Sequence, residues 1–147
     1  MTPLVRRYIK TSFGFLLLGL LLGAYLIVAQ FALDTYPPRL LVTTHAHLLL
    51  VGFMLMMVMG VATWMFPRPA RDDPRYRPEL AEAVYWVMTA STAMRAAVEI
   101  VVAFAGAVGP RWLIAVGGLG QLAGTALFVL NMWRRVRMPP AAAPPVG

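Results

Sequence analysis

Two histidines, His45 and His47, are the only imidazoles in the 147-residue chain, and they stand two positions apart in Thr43-Thr44-His45-Ala46-His47. A neutral imidazole near the end of an apolar helix can serve as a satisfied polar group, a haem ligand or a copper ligand. Residues two apart on a helix point about 200° from each other, so the two rings cannot both face one site. A second pair, Arg95 and Glu99, falls four residues apart inside a long apolar stretch. That spacing is one helical turn, so the two side chains can neutralise each other. Either charge alone at mid-membrane would cost at least ~2.5 kcal/mol, which makes the pair a buried ion pair that fixes packing or a relay for protons. Other chemistries have nothing to stand on. The absence of cysteine excludes disulfides, thiolate nucleophiles and cysteine-held metals or clusters. HExxH and glycine-rich phosphate loops are absent, and no Ser or Thr has an evident His–carboxylate relay.

The elements that must position these residues are helices in a bilayer. The chain is 60% hydrophobic and 13% charged, whereas a soluble domain carries about a quarter charged residues. The deficit is concentrated in four apolar runs: Phe13 to Leu33, Thr43 to Phe66, Ala81 to about Val108, and Trp112 to Trp133. Each reaches the roughly 20 residues an α-helix needs to cross the hydrocarbon core. Pro37-Pro38, Pro67, Pro69 and Gly109-Pro110 fall between the runs, where they end helices without breaking one. The first run is too long for a cleaved signal peptide and lacks a clear small-x-small site, so a retained helix is expected. The stretch 139–147, rich in Pro and Ala, is expected to be a disordered tail. The predicted fold is therefore an all-α membrane protein, a four-transmembrane-helix bundle over residues 1–138.

Charge predicts its direction. Arg6, Arg7 and Lys10 precede the first run; Arg68, Arg71, Arg75 and Arg77 follow the second; Arg134, Arg135 and Arg137 follow the fourth. The first and third loops carry only Arg39 and Arg111. The positive-inside rule puts both termini in the cytoplasm and the histidines near the outer surface. The net charge of +7 thus reflects topology, and no nucleic-acid partner is expected.

Sorting each helix at 100° per residue aligns His45 with Gly52, Met56 and Thr63, and His47 with the apolar Met54, Val58 and Met65. Lipid gains nothing from Gly or Thr, so His45 is expected to face inward and His47 toward lipid, headgroups or a partner subunit. Similar inward stripes are Ser12, Gly19, Gly23 and Gln30 on the first helix, and Gly117, Gln121, Gly124 and Asn131 on the fourth. On the third the stripe is Ser91, Thr92, Arg95 and Glu99. The glycines read as close-packing residues. For a flat, bulky porphyrin at His45, Gly52 would clear space two turns below, and Arg39 and Arg111 would be the cations available to the propionates. His47, Met54 and Met65, with His45 of a second copy, would suit copper.

The segment His45-Ala46-His47-Leu48-Leu49-Leu50-Val51-Gly52, continuing through Met59-Gly60-Val61-Ala62 to Phe66-Pro67, resembles the second helix of the haem–copper oxidase large-subunit superfamily. It looks most like the nitric oxide reductase and cbb3-type branches, and its HAHxxxxG core is also similar to NnrS-type haem- and copper-binding membrane proteins. In the oxidase branch the matching histidine, here His45, ligates a low-spin haem b near the outer face. The resemblance covers this helix alone. Full-length members also supply a second haem ligand and further histidines for a binuclear metal centre, and this chain has none beyond His45 and His47. Reduction of dioxygen or nitric oxide at such a centre is therefore not expected of this chain alone. The resemblance implies a haem b-binding, cytochrome b-like protein of a prokaryotic inner membrane, acting in electron transfer or in binding NO or O2. A homodimer could share one haem across its two-fold axis. The alternatives are a copper-handling protein and a cofactor-free accessory or assembly subunit of a respiratory or denitrification complex. In the last, His45 and Gln30 would hydrogen-bond near the outer surface and set only helix register. Gln30 and Gln121 join Arg95 and Glu99 as the buried polar residues expected of a relay.

Overall fold

The computed structural model describes residues 1–66, 77–105 and 110–136. Four helices, each long and apolar enough to cross a membrane, make up nearly all of it, and the described residues contain no strand. They are α1 (Pro3–Ala32), α2 (Arg39–Met65), α3 (Pro78–Ala105) and α4 (Trp112–Val136). Pro67, Arg68, Pro69, Arg71, Arg75, Val108, Gly109, Arg137 and the tail 139–147 lie outside the described residues.

The helices overrun the apolar runs that announce them. α1 starts ten residues before Phe13, because Pro3 supplies a preset φ at the first turn and Arg6, Arg7 and Lys10 are good helix formers. α2 begins at Arg39, immediately after Pro38. Hydropathy locates the part of a helix inside lipid, while capping and proline decide where the helix stops. At its far end α1 widens into a π-helical turn over Val28–Ala32. It closes with Asp34 in the left-handed region (φ 48°) and the Thr35 N–H and hydroxyl both on the Ala29 carbonyl. Asp tolerates that conformation better than most residues because its short side chain can bond locally.

Consecutive helices run antiparallel, and α1 packs on α2, α2 on α3, and α3 on α4. Two of these contacts are made close by missing β-carbons. The Phe15 ring of α1 sits over Gly52, where a β-carbon would come within 2.7 Å of it. On the other side, Gly120 and Gly124 of α4 receive Ser91 and Met88 of α3 at the same distance. Helices in lipid have no hydrophobic driving force between them, and there such close approach is what would hold them together. The core between α1, α2 and α3 is filled by Tyr8, Phe15, Leu48, Met56, Met59, Tyr85 and Met88. The Tyr8 and Tyr85 rings meet edge to face at 5.0 Å, and Tyr85 Oη lies 2.8 Å from Thr11 Oγ1. The expected apolar stripe of α2 does face outward, with Met54, Val58 and Met65 all exposed.

α4 packs chiefly on α3, and Arg135 ties it to α2. This buried guanidinium donates to the Phe66 carbonyl at 2.6 Å and the Thr63 carbonyl at 3.3 Å. It thereby caps the C-terminus of α2, where orphan carbonyls and the helix dipole favour a cation. Arg135→Met should lower the unfolding free energy in detergent by about 1–2 kcal/mol, with Arg135→Lys intermediate. Equal thermal stability of Arg135→Met and wild type would refute the cap.

Candidate functional site

His45 is placed by the glycine pair of α1. Its ring lies against Gly23, where a β-carbon would stand 2.6 Å from Cε1 and 2.9 Å from Nδ1. That clearance lets Nδ1 reach the Gly19 carbonyl at 2.8 Å. A carbonyl only accepts, so Nδ1 carries the hydrogen, and in the neutral ring Nε2 is the basic nitrogen. Nε2 has no hydrogen-bond partner among the described residues. The Gly19-x-x-x-Gly23 spacing is therefore more than packing, because it fixes the tautomer and tilt of the one imidazole that faces α1.

The half-buried His45 also lines a groove of about 490 Å³ between α1 and α2. The other walls are Leu20, Gly23, Ala24, Leu26, Ile27, Gln30 and Val42. Small-molecule sites typically occupy roughly 300–1,000 Å³ and combine apolar walls with a few polar groups. Gln30 and His45 are the polar side chains here. Leu20, Ile27, Gln30 and Val42 are exposed, so the groove opens away from the bundle interior. Gly23→Ala should push the ring off the Gly19 carbonyl and weaken any ligand held at Nε2 at least tenfold, the outcome of losing about 1.4 kcal/mol. A titration with unchanged affinity would contradict this role for Gly23.

The other expected site residues are dispersed. Gly52 does not reach the groove; the space above it is taken by Phe15, so it acts in helix packing. Arg39 and Arg111 are exposed at the same end as His45, but neither lines the groove. His47 is half-buried, and its Nδ1 bonds the Thr43 carbonyl of its own helix at 2.9 Å. Met65 lies eighteen residues beyond His47, on the order of 25 Å along the axis, so one chain cannot bring His47, Met54 and Met65 to one ion. Among the described residues, no group of three or more His, Asp or Glu side chains could hold a metal.

Arg95, Glu99 and Gln121 do come together, in a buried network on the α3 face toward α2 and α4. Arg95 Nε donates to Glu99 Oε1 at 2.9 Å, and its Nη1 reaches Gln121 Oε1 at 3.3 Å. Gln121 Nε2 then donates to Thr92 Oγ1 at 3.1 Å. Glu99 is fully buried. Its second oxygen lies 2.9 Å from Thr44 Oγ1, from the residue preceding His45. Sequence reasoning missed Thr44. The available signal was that a buried carboxylate needs donors beyond a single arginine, and Thr44 is the hydroxyl that α2 offers next to His45.

Just beyond Thr44 and His45, α2 changes its winding. Leu48–Leu55 is π-helical. Such turns are rare, and they often mark functional sites. No protein-family model, curated protein or solved structure matches the chain.

A b-type haem was the cofactor expected at His45, and the donor set fits one axial ligand. The ring has a fixed Nδ1–H, a basic Nε2 and a groove beside it, the arrangement in which a backbone carbonyl orients a metal-binding imidazole. The groove offers no second imidazole, so a second strong ligand must come from another copy of the chain or be lacking.

Proposed function

We propose that the protein is a multi-pass membrane protein that binds a b-type haem through His45 Nε2 and acts in electron transfer or in binding NO or O2. The observation that carries the reading is the Nδ1–H bond to the Gly19 carbonyl, which leaves Nε2 basic and without a protein partner beside an apolar groove. Arg6, Arg7, Lys10, Arg77 and Arg135 gather at one end of the bundle and Arg39 and Arg111 at the other, which favours cytoplasmic termini and an outer position for His45. When bound, a haem supplies a one-electron couple and, if one axial position is open, a site for a diatomic gas. The chain's own part is to hold the imidazole tautomer, to present Leu20, Ile27 and Val42 as apolar walls, and to offer Arg39 and Arg111 near the aqueous rim.

Because the groove opens outward, a second copy facing it can complete the coordination, as an isologous dimer would. The reading then predicts one haem per two chains. It is tested by a pyridine haemochrome assay on protein purified from cells with ample haem supply. Haem at one per two chains supports a shared site, and one per chain supports a five-coordinate site. Absence of haem would refute the proposal and leave a copper-handling protein or an accessory subunit, which metal analysis of the same sample separates.

A further inference from the structure

Glu99 is a buried acid that haem binding does not use. We infer that it is a proton-binding site inside the bundle, with the Thr44 hydroxyl as the element that registers its protonation on α2. This inference stands whether or not a haem is held at His45.

The geometry rests on one hydrogen with two acceptors. Thr44 Oγ1 lies 2.9 Å from Glu99 Oε2 and 2.8 Å from the Leu40 carbonyl, one turn back on its own helix. A hydroxyl has a single hydrogen to donate. With Glu99 ionised, that hydrogen goes to Oε2, and Arg95 Nε–H holds Oε1. A proton arriving from water forms an O–H bond at Oε2. The new O–H donates to Thr44 Oγ1, and the threonine hydrogen turns to Leu40. Arg95 stays charged, with Nη1 on Gln121, so the cluster goes from neutral to a single positive charge. The Thr44 hydrogen and the new Glu99 hydrogen each have an acceptor, and the Nε–H and Nη1 contacts of Arg95 are kept, so taking up the proton breaks none of these bonds without replacing it.

The ion pair also permits the exchange. Arg95 contacts Glu99 through Nε and gives Nη1 to Gln121, instead of closing a two-pronged clamp on the carboxylate. No other described charge faces Glu99. From α2 the facing group is Thr44, since His45 bonds Gly19 of α1 and His47 bonds its own helix. From α4 it is the neutral Gln121, reached through Arg95. The Arg7–Glu82 pair that links α1 to α3 sits roughly 25 Å away along α3. A threonine that back-bonds its i−4 carbonyl bends a helix slightly. Protonation of Glu99 therefore alters α2 one residue before His45.

Infrared difference spectra between neutral and acidic pH would test this on the full chain in phosphatidylethanolamine–phosphatidylglycerol vesicles. The expected result is a neutral-carboxylic-acid carbonyl band that rises at low pH and moves in deuterium oxide. It is absent in Glu99→Gln, moved in Thr44→Val and restored in Thr44→Ser. Glu99→Asp retains an acid band at a new frequency, which separates loss of the group from loss of the fold. Acid bands unchanged in Glu99→Gln with helicity intact would overturn the proton site. A Glu99 band indifferent to Thr44→Val would overturn the role of the hydroxyl.

Discussion

His45→Ala abolishes haem binding, while His47→Ala leaves it within about twofold of wild type; this is the largest difference the proposed function predicts. Nε2 of His45 is the one imidazole nitrogen beside the groove that the fold leaves basic and without a protein partner. Removing it would take away the nitrogen proposed to hold the iron and leave apolar contacts alone. The His47 ring is engaged with the Thr43 carbonyl and is not a groove wall. His45→Gly should recover a haem spectrum on addition of millimolar imidazole, because the pocket beside Gly23 then admits the free base. The Soret absorbance per chain measures each case. Equal haem loss in both alanine variants would mean that the two histidines act together and would discard the split between them.

The second large effect concerns stability. Arg95→Leu leaves the fully buried Glu99 carboxylate with Thr44 alone and should cost about 3–5 kcal/mol, the range for breaking a buried pair by removing one partner. Glu99→Leu should cost a similar amount, because the Arg95 guanidinium then keeps only Gln121. The double variant Arg95→Leu/Glu99→Leu should be less destabilised than either single, since no buried charge remains. Unfolding in mixed micelles followed by circular dichroism reads all three. Additive losses would show that the two residues do not form a coupled pair.

Much of this was legible in the chain. The four spans follow from hydropathy, and most of the small and polar stripes point inward as expected: Ser12 and Gly19 on α1, Ser91, Thr92 and Glu99 on α3, Gly117, Gln121 and Gly124 on α4. Gln30, expected to be buried with the α1 stripe, is exposed on the groove instead. Polar residues in an apolar run mark a face, because lipid cannot satisfy them. What escaped was whatever depends on a partner's shape. Gly52 could clear room for a porphyrin or for a phenyl ring, and nothing at that position distinguishes the two; Phe15 does. Thr44 looked like an ordinary helix threonine until Glu99 arrived from α3. Arg135 counted only as a topological charge, yet its reach to the end of α2 fastens the fourth helix. The widened winding of Leu48–Leu55 was invisible for a different reason. Seven of its eight residues are large and apolar, so the run has no phase from which a change of period could be read.

That π-helical stretch also has a genetic meaning. A helix that accommodates an extra residue without a loop carries, in effect, a tolerated insertion, with the residues on either side kept in register with their neighbours. A regular α-helix that loses one residue turns one side by about 100° relative to the other. Deleting one residue from Leu48–Leu55 would instead let α2 rewind toward regular α geometry, with the residues on either side keeping their faces. Met56, Met59 and Gly60 in the core and His45 against α1 would then all keep their places. A single-codon deletion in this segment would therefore spare the orientation of His45, whereas the same deletion in the regular helix Met56–Met65 would turn the two halves of α2 against each other.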